Sequence, residues 1–422
     1  MLLCLAGLSL LVIIVFTAEL NNFLPRSLSL QKKIESIFGD RKGSAIIMNP
    51  RSGAVSAMVN TPLFDPNIFA QGISLEDWNR LRLDPDHVLN NKCIHGTFSP
   101  GSTFKMVVAI AGLEMGIIDY DSEYLCEGVL KYNRLRVHCW KRSGHGNLNV
   151  VGALENSCNI FFYELALEIG VDKIKEYANR LGLGKLTGVD LPNEKSGLIP
   201  DKAWKRKQKN EKWFIGETLP VAIGQGYVTT TPLQLVNYIN VIANNGMLLQ
   251  PRIAKDFIYN GSSQAQEVDE KQSPNNESPK IEPNNVVKRN VELNPSILEI
   301  IREGMLKNVQ SDNGTGKHAR SELVLVSGKT GTTQVVSYKT RAKMMREKGE
   351  VNEKYFDHAW FVGFAPSENP TMSVVVLLEN GQAGKNAAKM AKRIIDYYFT
   401  EIEPRPVPQN EDFLDNDIFL SS

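Results

Sequence analysis

The sequence predicts an α/β domain of the α+β type, with one sheet assembled from strands near both ends of the chain and helices between them. Two β-favouring runs, GSAIIM and AVSAMV, flank the turn cluster Asn49-Pro50-Arg51-Ser52-Gly53 and read as a hairpin. The last third returns to strand-like segments in LVLVSGKTGTTQVV, HAWFVGFAP and TMSVVVLLEN. The middle is helical: Phe104, Val107, Val108, Ile110, Ala111 and Met115 recur at helix spacing between Ser102 and Gly116.

The chain has 422 residues, 42% of them hydrophobic and 8% aromatic, which supplies a sizeable core. A net charge of +1 gives no reason to expect a nucleic-acid partner. Residues 1–18 include an apolar run from Leu2 to about Ala18. Its length is at the short end of the roughly 17–25 residues that span a bilayer, and no Lys or Arg precedes it. It is expected to be a membrane anchor or uncleaved signal, with everything after it outside the cytoplasm.

Residues 19–42 are polar and mixed and read as a stalk. The hairpin (43–59) follows, then an irregular stretch (60–100), then the Ser102–Gly116 helix. Another helix starts after Thr231-Pro232, with Thr231 as N-cap and Pro232 at the first position, and ends near Gly246. Residues 260–290 are rich in Pro, Asn and Ser and are expected to be a flexible insertion. A last amphipathic helix covers about Lys385–Phe399, and the acidic tail 401–422 is expected to be loose. The whole of 43–400 forms the proposed domain, and no internal repeat is present.

Three short motifs carry the chemistry. In SPGSTFKMVV, Pro100-Gly101 breaks the chain so that Ser102 opens a helix, with Lys105 one turn along the same face. A serine hydroxyl needs a base to become a nucleophile, and a desolvated lysine can be that base. Alone this pattern is weak: Ser29-x-x-Lys32 repeats it in the stalk, where an ordinary solvated segment is the better reading. Ser157-Cys158-Asn159 lies 55 residues after Ser102, and Lys329-Thr330-Gly331-Thr332 lies 172 residues after Ser157. This order is that of serine β-lactamases and penicillin-binding proteins, whose middle element reads Ser-Asp-Asn.

With NPRSGAVSAMVNTPLFDPNIF, IGQGYVTTTPLQL and HAWFVGFAP, the chain resembles the class B penicillin-binding proteins over residues 43–400, and most closely their elongation branch. The resemblance implies a mainly antiparallel sheet between helical layers and a serine D,D-transpeptidase that cross-links peptidoglycan. Ser102 would attack the penultimate D-Ala carbonyl of a stem peptide ending in D-Ala-D-Ala, and β-lactams would acylate the same serine. Lys105 would be the base, Ser157 would relay a proton to the leaving amine, and Asn159 would hold a substrate amide. Lys329, Thr330 and Thr332 would bind the terminal carboxylate, and Gly331 would let the substrate backbone lie against the strand. The N–H groups of Ser102 and Thr332 would form the oxyanion hole.

The expected setting is a bacterial plasma membrane with the domain on the extracytoplasmic side, and the expected partner a glycan polymerase of the elongation machinery. No organic cofactor is implied. Family members usually carry a pedestal of roughly 150–200 residues before this domain. Only about 24 residues separate the apolar run from the first strand here, so the pedestal is expected to be missing. A β-lactamase or D,D-carboxypeptidase is the alternative, or a β-lactam receptor without turnover. No additional base for activating water is identifiable in the sequence.

The cysteines raise a separate question. Cys126, Cys139 and Cys158 surround the middle motif and, with His145, read C-x12-C-x5-H-x12-C. Thiols outside the cytoplasm are usually oxidised, but a disulfide would leave one of the three over. Four N/S donors satisfy a closed tetrahedral zinc site, and independent buried thiols are the third possibility. In an extended RLRVHCW, His138 would point opposite to Cys139, which favours His145 as the fourth ligand. Some relatives in the elongation branch bind zinc here through carboxylate, His and Cys. Cys158 is expected to face away from the cleft that Ser157 and Asn159 line.

Overall fold

The computed structural model describes residues 27–70, 72–253, 288–348 and 350–405. The apolar run at 1–18 and the 260–290 insertion, apart from its last three residues, lie outside them. Among the described residues no helix is long and apolar enough to cross a membrane.

The chain enters through helix α1 (Leu28–Phe38), capped by the Ser27 hydroxyl. Leu30, Ile34, Ile37 and Phe38 form its buried stripe. This corrects the stalk expected over 19–42: from residue 28 that segment packs on the sheet. The hairpin follows as β1 (Gly43–Met48) and β2 (Val55–Thr61), paired antiparallel. In its turn the Asn49 carboxamide oxygen accepts from the N–H groups of Arg51 and Ser52 at 2.9 and 3.2 Å.

β2 is an edge strand, and α1 blunts that edge. The Gln31 side chain accepts from the Met58 N–H at 3.0 Å and donates to the Met58 carbonyl at 3.1 Å, as a neighbouring strand would.

Helix α2 (Lys105–Glu114) follows the single 3-10 turn Gly101–Phe104 and is buried from Lys105 to Leu113. Four short strands come next: β3 (Tyr124–Cys126), β4 (Val129–Tyr132), β5 (Leu135–His138) and β6 (Gly146–Leu148). They pair as two ribbons, β3 with β6 and β4 with β5. Helices α3 (Val150–Glu155) and α4 (Asn159–Ile169) carry the middle motif between them. Helix α5 (Pro232–Ala243) starts in a capping box between Thr231 and Gln234 and is buried throughout. A ribbon of β7 (Met247–Leu249) and β8 (Lys288–Asn290) precedes α6 (Pro295–Gln310).

The sheet is completed by β9 (Ser327–Thr333), β10 (His358–Ala365) and β11 (Met372–Leu378), and the terminal helix α7 (Gly384–Tyr397) packs behind it. The order is β2-β1-β11-β10-β9, and every pairing is antiparallel. The period of two splits β1, β10 and β11 between two cores. Ile46, Met48, Trp360, Val362, Val375 and Leu377 face the helical middle of the chain. Ala45, Ile47, Phe361, Val374, Val376 and Leu378 face α1 and α7. Both faces are covered, which is why these strands read as continuous apolar runs rather than alternating ones.

The tail differs from expectation at its start. Residues 401–405 still pack: the Thr371 hydroxyl donates to Glu403 at 3.0 Å, and the Arg405 guanidinium lies 5.2 Å from the centre of the Phe399 ring.

Candidate active site and thiol cluster

Ser102 lies half-buried in the 3-10 turn that feeds α2. Gly101 takes φ +59, and a Cβ there would sit 2.8 Å from the Thr333 hydroxyl, so only glycine lets this turn press against β9. The turn is fastened from behind. Thr333 donates to the Ser99 carbonyl at 2.9 Å, as does the Trp360 indole at 3.1 Å, and the Tyr238 hydroxyl donates to the Thr103 carbonyl at 2.6 Å.

Lys105 is fully buried and joins the first motif to the second. Its ammonium donates to the Ser157 carbonyl at 2.7 Å, to the Asn159 carboxamide oxygen at 2.7 Å and to the Ser157 hydroxyl at 3.3 Å. Burial lowers its pKa to about 8, against the opposing pull of the sulfurs of Cys158, Cys139 and Cys126. An amine with that pKa is the kind of base the serine needs.

Helix α3 ends in a Schellman motif. The Cys158 N–H donates to the Ala153 carbonyl at 2.9 Å and the Ser157 N–H to the Leu154 carbonyl at 3.3 Å. The left-handed position, usually glycine, is Ser157 with φ +52. Such a residue costs about 1–3 kcal/mol and persists only where its surroundings hold it. Trp140 supplies one hold, its indole N–H donating to the carbonyls of Asn156 and Ser157 at 3.0 and 3.2 Å.

β9 is the other edge of the sheet, so an extended ligand can pair along it. Lys329 is fully buried and its pKa is pushed well down, by burial first and then by the Lys105 charge. The Thr330 hydroxyl pairs with that of Thr315 at 2.8 Å. The exposed Thr332 accepts the Gly384 N–H at 3.0 Å, which leaves its hydroxyl proton to be donated elsewhere. At Gly331 the structure adds a reason the sequence reading lacked. The space a Cβ would fill is bounded by the Pro100 carbonyl at 2.9 Å and Thr103 Cγ2 at 3.1 Å, so this glycine also lets the serine turn dock.

Three residues here escaped the sequence reading: Trp140, Asn308 and Thr315. The fully buried Asn308 carboxamide lies within hydrogen-bond distance of the Leu154 and Glu155 carbonyls at 3.1 and 2.7 Å and the Thr315 hydroxyl at 2.8 Å. It thereby ties the end of α3, just before Ser157, to Thr330 on β9. The sequence signal was Gly314-Thr315-Gly316, since a Cβ at either glycine would meet Asn308 atoms, at 2.2 and 2.5 Å respectively.

Cys126, Cys139, His145 and Cys158 converge so that their donor atoms all lie within 4.8 Å of one another. The three thiols are buried and unoxidised. The β3–β6 ribbon pairs Cys126 with Gly146, and the His145 N–H donates to the Cys126 carbonyl at 2.9 Å, which turns the imidazole back over the sulfurs. His145 Nδ1 is 3.4 Å from the Cys126 sulfur and 3.6 Å from the Cys139 sulfur. Zinc–sulfur bonds of about 2.3 Å and zinc–nitrogen bonds of about 2.0 Å at a tetrahedral angle give an edge of roughly 3.5 Å, so this donor set fits zinc.

His138 stays exposed and outside the cluster, and only its carbonyl meets the site, accepting from Asn159 at 3.5 Å. Cys158 is fully buried behind the pair it separates, and the Asn159 N–H donates to the Cys139 sulfur at 3.4 Å. Hydrogen bonding from the Cys158 thiol pulls the Cys139 thiol pKa down, and the same bond pushes that of Cys158 up.

A serine, two buried lysines and a Ser-x-Asn turn meet at a sheet edge, an arrangement chemically suited to serine acyl transfer. The chain belongs to the penicillin-binding protein transpeptidase domain family, whose model matches residues 43–396. It is 35% identical over 387 residues to the peptidoglycan D,D-transpeptidase MrdA of Acinetobacter baumannii, covering 91% of this chain and 55% of that protein. The chain thus spans about half the length of the curated relatives it matches. Among solved structures it is similar to PBP2 of Helicobacter pylori in complex with MreC (TM-score 0.77, 29% identity, 90% of this chain and 64% of that one). It is also similar to PBP2 of Pseudomonas aeruginosa in complex with WCK 5153 (TM-score 0.73, 31% identity, 92% and 80%).

Proposed function

We propose that this chain is a peptidoglycan D,D-transpeptidase of cell-wall elongation and cell shape. The observation that carries the reading is the position of Lys105, whose buried amine reaches both residues of the Ser-x-Asn pair. In its neutral form Lys105 takes the proton of Ser102, whose oxygen attacks the penultimate D-Ala carbonyl of the stem peptide. The N–H groups of Ser102 and Thr332 stabilise the oxyanion. Ser157, within reach of the Lys105 amine, returns a proton to the departing D-Ala. Asn159 holds the peptide amide, and Lys329, Thr330 and Thr332 receive the terminal carboxylate. An amine from a neighbouring strand then resolves the acyl-enzyme into a cross-link, while β-lactams stop at the acyl stage.

Cys126, Cys139, His145 and Cys158 would hold a structural Zn²⁺, which supplies a fixed anchor behind the Ser157–Asn159 turn. Residues 1–18 would anchor the domain on the extracytoplasmic side of a bacterial plasma membrane. The glycan polymerase of the elongation machinery is the proposed partner, in line with the similarity to a solved peptidoglycan synthase complex that coordinates polymerization and crosslinking (TM-score 0.74, 27% identity).

Fluorescent penicillin tests the reading. It should label the wild-type chain stably and Ser102→Ala not at all. Labelling that survives Ser102→Ala overturns the assignment of the nucleophile, and rapid loss of label points instead to a β-lactamase.

A further inference from the structure

The β4–β5 ribbon beside the site carries charge that the fold does not use. From Gly128 to Leu154 the chain has five Lys and Arg residues (Lys131, Arg134, Arg136, Lys141 and Arg142) and no Asp or Glu, within a chain of net charge +1. All five are exposed. None forms an ion pair among the described residues.

Their arrangement works against the ribbon itself. Lys131 lies directly opposite Arg136, and like charges facing across a strand pair destabilise it. The turn between the strands adds Arg134 after Asn133, which takes φ +53. Leu130 and Val137, also opposite each other, pack against the core, so Lys131 and Arg136 share the outward face. That face has no Trp, Tyr or Phe side chain to enter a lipid interface. The ribbon is continuous with the cleft, because β5 ends at His138, whose carbonyl accepts from Asn159. Trp140, two residues on, holds the Ser157 turn.

We infer that the outward face of this ribbon binds the carboxylates of a second peptidoglycan strand, the one that delivers the acceptor amine. This rests on the transpeptidase reading. That reaction needs a second strand beside the acyl-enzyme while the donor occupies the β9 edge. Uncross-linked stem peptides repeat free carboxylates along a glycan strand, and a row of unpaired cations next to the Ser-x-Asn pair complements them.

The test uses the full chain, wild type and two variants: the triple Lys131→Gln/Arg134→Gln/Arg136→Gln, and Lys131→Glu alone. Binding is measured to soluble uncross-linked glycan strands, to the same strands with their carboxylates amidated, and to phosphatidylglycerol vesicles. Penicillin acylation and thermal unfolding are measured in parallel. The triple variant should bind native strands at least tenfold more weakly and acylate within twofold of wild type. Amidated strands should bind all forms equally weakly. Lys131→Glu places an acid opposite Arg136, so its melting temperature should hold or rise while strand binding falls at least fivefold. A purely structural role for Lys131 would not produce that opposition.

Native strands binding the triple variant as tightly as wild type would overturn the inference. So would equal wild-type binding of native and amidated strands, or wild-type preference for vesicles that the triple variant loses. Failure of penicillin to label wild type overturns the transpeptidase reading and the acceptor role with it. A labelled wild type with unchanged strand binding in the triple variant overturns the ribbon's role alone.

Discussion

Lys105 is held by three oxygens, none of them a carboxylate, and the nearby sulfurs only partly offset the proton affinity that burial removes. The proposed base is the deprotonated form, which is populated as pH rises through a pKa of about 8. The rate of penicillin acylation should therefore climb with pH, with its midpoint near that value, and flatten above it. Lys105→Met should slow acylation by about 10²–10⁴-fold and remove the midpoint. A variant that kept the wild-type profile would exclude Lys105 as the base. Trp140 acts on the same site through Ser157. Trp140→Phe keeps a ring but loses the donor to two carbonyls, a loss of about 1 kcal/mol per bond. It should acylate several-fold more slowly with its thiol cluster intact, as read by stopped-flow labelling beside a metal assay.

At the scale of elements, α1 belongs to the fold. Ile34→Ala should cost about 2–5 kcal/mol in urea unfolding, as buried aliphatic truncations do. Lys32→Ala, on the exposed side of the same helix, should change stability by no more than about 0.5 kcal/mol. A true stalk would leave both variants at wild-type stability. The helix was hidden in the sequence because composition averages over its faces: Leu30, Ile34 and Ile37 are separated by Gln, Lys, Glu and Ser. The large strands and α2 were legible because they are buried on both sides and read as unbroken apolar runs. The three motifs and the four thiol-cluster residues were legible because their chemistry is local. Asn308 was not, since its role lies in contacts to residues 153 and 154 positions away and appears only when α3, α6 and β9 meet.

Distant parts of the chain meet in one sheet: β1 and β2 come from before the helical middle and β9, β10 and β11 from after it. The thiol cluster sits where the helical middle meets the cleft. The purified protein should carry about one Zn²⁺ per chain by metal analysis. Chelation should lower the melting temperature and slow acylation, with Ser102 remaining chemically intact. Cys158→Ser should be at least as damaging, because it frees the turn at Ser157 itself. Metal-free protein with a Cys126–Cys139 or Cys139–Cys158 disulfide by mass spectrometry would replace the zinc site with a covalent one.

In the proposed reaction Ser102 passes an acyl group from one stem peptide to the amine of another. Mass spectrometry of the products formed from a donor ending in D-Ala-D-Ala and an amine acceptor tests it directly. A cross-linked peptide and released D-Ala are expected, both absent with Ser102→Ala. Released D-Ala accompanied only by hydrolysed donor would make the protein a carboxypeptidase and rule out acyl transfer to an acceptor amine.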